Sequence, residues 1–411
     1  VDSEIVISPH VLDSWPLYDR CDEGYCPSRE AKHELSLKLA IDKIPITRVT
    51  DITSLDVLGI PVFAAVTPLA KDLTTHLGKG TKKETARIGA LMEAVERVSA
   101  EEFESKPRVA SYVELAVSDA HVADPLSFDI PPETTYRPQS LFEWVEGWEL
   151  MNAHPIWILA DLARSPAKEG ILDQVDTNGL AAGFTHGQAV RNSILEIVER
   201  DSVSQCEFFK QYGDEGDTGP IGRRIDLESL PAKPKALVER ARNANLELFL
   251  EDLTTDLEIA VISCTLIDPS FCGTNGPMPL AFVGWGADIV AETAVTHSIL
   301  ESYQSRLGVI HGARDSYNQI PAHPGRFERR FQDSSARHDF STIANTKLPD
   351  LAAEIDFILE RLKGVGLTQT IIIDMTRKSL GLPVVRVRIP GLSLFSIDRR
   401  RIGWRSARHL L

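Results

Sequence analysis

The 411-residue chain contains only five cysteines, Cys21, Cys26, Cys206, Cys264 and Cys272. So few, and odd in number, they do not make a disulfide framework. Cys21 and Cys26 lack a second Cys or His pair at zinc-finger spacing, so no four-ligand zinc site is expected there. Cys206 reads as a buried thiol rather than a nucleophile, because no base can be paired with it. Positive charge is also short: 44 Lys and Arg stand against 59 Asp and Glu, a net −15. That excludes nonspecific binding to nucleic acid or anionic membrane, which needs a basic surface. No run approaches the ~20 apolar residues that cross a bilayer. The opening VDSEIVISPHVLDSWPLYDR lacks the basic region and apolar run of a signal peptide, so the expected compartment is the cytoplasm. With 43% hydrophobic and 25% charged residues, the chain has the composition of a soluble globular protein with a real core.

Strand and helix patterns mix along the chain. Residues 28–42 read as an amphipathic helix and 59–68 as a strand entering a loop. HLGKGT (76–81) reads as a glycine-punctuated turn before a long helix over about 83–102. FEWVEGWEL and PIWILADLA read as short strands. TNGLAAGFTHG (177–187) reads as a second glycine-rich turn, opening a helix to about Phe209, and DEGDTG (214–219) as an exposed loop. LEIAVISCTLI (257–267) suits a central strand, and AFVGWGAD (281–288) leads into a third helix. After a polar loop (315–345) come a helix at 349–363 and two strands, TQTIIIDM and LPVVRVRIPGL. The class expected is α/β (α+β mixed). No Ser/Pro-rich linker divides the chain, so a single large domain is expected. Strand, glycine turn and Glu-bearing helix recur in it three times as internal pseudo-repeats.

Those helices carry the chemistry. Glu93, Glu96 and Arg97 stand in GALMEAVER, and Glu196, Glu199 and Arg200 in ILEIVER. An altered third copy, LESYQSR, carries Glu301, Gln304 and Arg306. Carboxylates at i and i+3 share one helix face. One such cassette alone would be a solvated ion pair worth a few tenths of a kcal/mol. Here the neighbouring positions are apolar (Ile88, Leu91, Met92, Val95; Ile194, Leu195, Ile197, Val198), which carries the carboxylates inward. Buried carboxylates need cations. Mg2+ fits, because it takes oxygen ligands shared with phosphates. Arg97 and Arg200 can reach a phosphate or lock the neighbouring carboxylates. GKG at 78–80 is not a P-loop, but Lys79 and Gly80 before a helix can bring an ammonium and backbone N–H groups to phosphate. Gln304 keeps an oxygen ligand at lower charge. Arg306 and Arg314 are candidates to hold a transferring phosphoryl group.

GKGTKKETARIGALMEAVER, NGLAAGFTHGQAVRNSILEIVERD, LESYQSRLGVIHGARD and PVVRVRIPGL together resemble, in order and spacing, the YcaO family. The resemblance covers about 28–395, leaving an N-terminal extension (1–27) and a tail (396–411). It implies a single α/β unit with a non-P-loop nucleotide site, with ATP and Mg2+ as cofactors and a backbone amide oxygen activated by phosphorylation. By this resemblance Glu93, Glu96, Glu196 and Glu199 are metal ligands. Arg97 and Arg200 are phosphate-binding or structural partners at the nucleotide site, Gln304 is the third motif's polar ligand there, and Arg29 and Ser36 on the first helix match a basic residue and a hydroxyl used at the nucleotide. The chain departs from the family pattern at Gly89, Phe184, Gln188 and Asn192, where Ser, Asn, Glu and His are frequent. These departures touch nucleotide contacts and leave the four carboxylates intact.

Within the family, a side-chain nucleophile gives azolines, external sulfide a thioamide and an internal amine an amidine. The end IGWRSARHLL has no Pro-x-Pro-x-Pro, and ITRVTDITSLDVLGIPVF is similar to the N-terminal region of the stand-alone subgroup that works with TfuA. The expected reaction is therefore thioamide formation in a peptide or protein, with a TfuA-like partner and a homodimer to be looked for. Azoline-forming cyclodehydration is the runner-up. An ATP-binding accessory protein and a nucleotide-independent metal hydrolase are the readings from other classes.

Overall fold

The computed structural model describes residues 20–21, 24–25, 37–38, 40–118, 120–213, 222–268, 281–312 and 337–410. The strands, in chain order, are β1 (Arg48–Asp51), β2 (Val62–Val66), β3 (Thr75–Lys79), β4 (Arg108–Ala110), β5 (Phe142–Glu149), β6 (His154–Leu159) and β7 (Leu180–Ala182). They continue with β8 (Arg223–Arg224), β9 (Glu247–Asp252), β10 (Ala260–Ile267), β11 (Ala281–Asp288), β12 (Ile371–Asp374) and β13 (Val384–Arg388). The α-helices are α1 (Lys83–Ala100), α2 (Tyr112–Val117), α3 (His186–Tyr212), α4 (Ala232–Asn243), α5 (Ala291–His311), α6 (Leu351–Gly364) and α7 (Trp404–Ala407). Residues 37–38 and 40–41 are helical. The rest of the expected first helix, with Arg29 and Ser36, lies outside the described residues, as do Arg314 and the 214–219 loop. Among the described residues no helix is long and apolar enough to cross a membrane.

Arg20–Cys21 and Gly24–Tyr25 pair as a separate two-stranded antiparallel ribbon; the strands numbered above form three antiparallel sheets, giving the mixed α/β class expected. Their orders are β1-β2-β3, β8-β9-β10-β11 and β4-β5-β12-β13-β7, with β6 also paired to β5. The third sheet is central and buried on both faces. Ile371, Ile373 and Val384 point into one core with Leu91, Val95 and Trp144. Ile372, Val385 and Val387 point into a second core with Ile194, Val198 and the α6 residues Ile355 and Ile358. That is why β12 and β13 read as nearly continuous apolar runs. The β8–β11 sheet packs α4 and α5 on its Ala260, Ile262, Cys264 and Leu266 face. Cys206 and Cys264 are buried free thiols.

All three strand–helix repeats are present, but two of the expected glycine turns contain strands. HLGK is β3, and LAA within 177–187 is β7. Gly78 lies inside its strand because α1 crosses it closely: a Cβ there would sit 2.1 Å from Ala86 O and Ala90 N. Gly284 and Gly286 do the same for α5 on β11, where a Cβ would come within 2.2 Å of Ser302 N and 2.3 Å of Ala294 O. Glycine here marks close approach of a helix backbone rather than chain reversal.

Candidate functional site

α1, α3 and α5 turn their cassettes toward one another, and strand backbone holds the carboxylates. Leu77 N–H of β3 donates to Glu93 (2.9 Å). Ala182 N–H of β7 donates to Glu96 (3.2 Å). Glu301 accepts from Trp285 N–H of β11 and from Lys79 Nζ (2.7 Å). Gln304 Nε2 donates to Leu77 O (2.7 Å), so Leu77 ties the first cassette to the third. Strand backbone thus aims the acids of the first and third cassettes, Glu93, Glu96 and Glu301.

The electrostatics decide what the site needs. Burial pushes Glu96 up to about 8, with Glu196 and Glu93 adding to it, although Arg97 opposes. Burial pushes Glu196 up to about 7 against Arg200, Arg97 and Arg386. Glu199 is raised by burial and by Glu301 and Glu196. Glu301 is also penalised by burial, yet Lys79 and Arg200 hold it below the usual range. For Glu96, Glu196 and Glu199 the nearby arginines therefore do not outweigh desolvation, and these three favour a protonated form from which a bound cation would displace the proton.

Arg97 is engaged by Asp72 (2.8 Å) and Glu93 (3.8 Å). Arg200 lies 3.6 Å from Glu199 and stacks over Trp285, 5.2 Å from the ring centre. Both therefore lock acids in place. Behind them Arg386 is fully buried and held down to about 9 by its burial and by Arg388, and it adds positive charge beside Glu196. Gly80 N–H bonds Pro61 O (3.2 Å), closing the β2–β3 ladder, so Lys79 rather than Gly80 faces the acids. Arg306 lies in ion pairs with Asp56 (3.4 Å) and Asp268 (3.0 Å), where it clamps α5 to the loop before β2. The expected phosphoryl-binding place is therefore not where this guanidinium sits.

A cavity of about 350 Å3 runs between α3 and β11. One end is acidic, with Glu196, Glu199, Glu301 and Lys79; the other carries Gln188, Asn192 and the Arg191–Asp288 pair. Arg191 also binds Glu354 (2.6 Å), joining α3, α6 and the end of β11. Gln188, where an acid was noted as frequent, turns its amide oxygen back to Phe184 N–H (2.9 Å). Asp72, Trp285 and the Arg191 network were missed in the sequence. Each is distant from the cassettes along the chain or carries no motif.

Among the described residues no three His, Cys, Asp or Glu side chains converge on one point. The acids form an open wall rather than a closed cage. That suits Mg2+, which takes one or two carboxylates and completes its shell with phosphate oxygens and water. Glu93, Glu96, Glu196 and Glu199 are the residues that would hold it.

A family model described as YcaO cyclodehydratase, ATP- and Mg2+-binding, matches residues 77–393. A protein of Methanothermobacter thermautotrophicus is 32% identical over 381 residues, covering 89% of this chain and 94% of that one. A protein of Rhizobium leguminosarum bv. trifolii, described as lying in the tfuA 3' region, is 27% identical over 370 residues, covering 85% and 84%. The structure of YcaO from Methanopyrus kandleri bound with AMPPCP and Mg2+ superposes with a TM-score of 0.74 at 24% identity, covering 94% of this chain and 97% of that one. A heterocyclase in complex with substrate and cofactor gives 0.73 at 19% identity, covering 95% and 56%. At these identities the structural likenesses establish the fold. ATP and Mg2+ are the cofactors of the matched family and of this chain.

Proposed function

Because the chain belongs to the YcaO family, we propose that it is an ATP-dependent enzyme that activates a peptide backbone amide and converts it to a thioamide. The observation that carries the activation step is the wall of raised-pKa carboxylates, which asks for cations bridged to an anionic ligand. Bound ATP and Mg2+ supply the phosphoryl group and the positive charge that offsets its oxygens. Glu93, Glu96, Glu196 and Glu199 hold the cations. Lys79 can leave Glu301 for a phosphate oxygen. Arg97, through Asp72, and Arg200, over Trp285, keep the acids in register. The amide oxygen attacks the terminal phosphorus, hydrosulfide adds to the amide carbon, and the oxygen departs as phosphate. Amide, hydrosulfide and ATP thus become thioamide, ADP and phosphate, with the hydrosulfide proton on phosphate.

Sulfide as the nucleophile draws its support from the relative in the tfuA 3' region and from the similarity of ITRVTDITSLDVLGIPVF to the TfuA-associated subgroup. It makes a TfuA-like protein the partner to test. The family model's cyclodehydratase description favours a second reading, azoline formation by a Cys, Ser or Thr side chain. Mass spectrometry of a modified peptide separates the two. Replacement of oxygen by sulfur is the expected change, and loss of one water would overturn thioamide formation in favour of the azoline. ATP bound tightly but never hydrolysed, with candidate peptides and partner present, would indicate an accessory protein.

A further inference from the structure

We infer that a basic rim at the carboxyl end of α1 binds an acidic stretch of the peptide substrate, apart from its reacting amide. This rests on the peptide-activating reading above and names the kind of peptide it takes. Three connections meet where α1 ends. The β2–β3 hairpin brings Lys71, whose backbone N–H donates to Glu101 (2.8 Å). The loop after β6 brings Ser165, whose N–H bonds Ala100 O (2.9 Å) and whose Oγ bonds Asp72 of the hairpin (3.4 Å). The tip between β12 and β13 carries Arg377 and Lys378, and Lys43 Nζ donates to Ser379 O beside them.

The cations on these loops gather around one exposed carboxylate. Lys71 bonds Glu102 and holds its carboxyl below the usual range, and Lys168 and Arg377 add to the effect. Neighbouring acids are engaged elsewhere. Glu101 is buried against the hairpin backbone, Asp72 binds Arg97 (2.8 Å), and Asp374 accepts from Thr376 N–H (2.9 Å). Lys43, Lys71, Lys106, Lys168, Arg377 and Lys378 thus stand against the exposed acids Asp42, Glu102 and Glu104. Among the described residues Lys168, Arg377 and Lys378 form no ion pair. A helix end attracts cations within its last turn, and Lys71 meets that demand. The others come from further loops, where like charges repel, and an anion from outside would relieve them.

The rim is separate from the cavity between α3 and β11, since none of its residues lines that cavity. It is nevertheless built on the elements that hold the acids. α1 carries Glu93 and Glu96, and the hairpin's Asp72 holds Arg97. Gly183 N–H, next to the Ala182 that bonds Glu96, bonds Pro383 O (3.0 Å) at the base of the β12–β13 tip. A peptide anchored on the rim is therefore held on the same frame as the acidic wall. The occupant is short. At physiological salt a rim charge acts over about 8 Å, so a brief run of carboxylates meets only these cations. A long polyanion would also meet the remainder of a chain of net −15.

The test uses the full chain and two fluorescent, blocked octapeptides that differ only in a central run of Glu or of Gln. Anisotropy should show the Glu peptide binding about tenfold tighter at low salt, with the preference fading as salt rises. Arg377→Glu and Lys168→Glu should each reduce the preference about tenfold and leave Mg2+–AMPPCP affinity unaltered. Lys363→Glu makes the same change of net charge on α6 and should keep the preference. Equal affinity for the two peptides, an equal loss in Lys363→Glu, or displacement of the Glu peptide by inorganic phosphate at constant ionic strength would each overturn the inference. A charge preference in a protein with no affinity for Mg2+–AMPPCP would keep the rim and retire the reading of the carboxylates. Nucleotide binding without any preference would retire the rim alone.

Discussion

Asp129 shows how one side chain sets a pH dependence away from the site. It sits at φ 48°, and its Oδ2 is buried without a partner. Burial pushes it up to about 6, beyond what Arg401 can offset. Between roughly pH 4 and 6 the folded chain binds more protons than the unfolded one, so this residue makes stability fall as pH rises, levelling above its folded value. The penalty at neutral pH is up to about 3 kcal/mol. Asp129→Asn tolerates the same backbone angle. It should raise the denaturant midpoint at pH 7 and flatten the slope between pH 4 and 6, with no gain near pH 4. Equal pH profiles for the two proteins would refute this. Residues of the candidate site differ in how legible they were. The glutamates announced themselves through i, i+3 spacing on apolar helices. Asp72 could not, because only the fold brings it to Arg97. Arg306 stands five residues after Glu301 rather than the four of the other cassettes, and it falls on the side of α5 facing Asp56 and Asp268.

Elements were legible where periodicity was long. α1, α3, α5 and α6, and the strands β10, β12 and β13, stand close to where their patterns put them. β3 and β7 were read as turns because glycine serves both chain reversal and close helix packing, and a single sequence does not distinguish them. The packing role is testable. Gly284→Ala puts a Cβ 2.2 Å from Ser302 N, and α5 must move off β11. A loss of about 1–3 kcal/mol or more in denaturant unfolding is expected, whereas a neutral outcome would mean that α5 is loosely seated. α7 bears on α3 through Arg405, which binds Asp201 (2.8 Å) and Asp256 (2.9 Å). Asp201 is fully buried two residues beyond Glu199. Arg405→Met leaves that charge unpaired and should cost about 3–5 kcal/mol, read as a lower unfolding midpoint together with weaker Mg2+–ATP binding. Destabilisation with unchanged nucleotide affinity would show that α7 holds the fold without positioning the acids.

Across the whole molecule, three strand–helix units from distant parts of the chain close around one acidic wall, and the late strand β13 is inserted beside β7 to lock them together. The repeats were visible in the sequence. Their convergence was not, because strand order in a sheet is set by long-range packing. Such an assembly should be loosest when its acids lack cations. Mg2+–ATP at a hundredfold excess over its dissociation constant should stabilise the fold by about 2.7 kcal/mol. Thermal unfolding would show this as a higher midpoint, abolished by a chelator; a midpoint indifferent to both would contradict it. The central claim is that Glu199 and its neighbours build the Mg2+–ATP site. Calorimetric titration of Mg2+–ATP into the wild-type chain and Glu199→Gln, whose volume is nearly the same, tests it most directly. The account predicts saturable binding to the first and none, or a greatly weakened isotherm, for the second with its fold intact. Equal affinity for the two would contradict it.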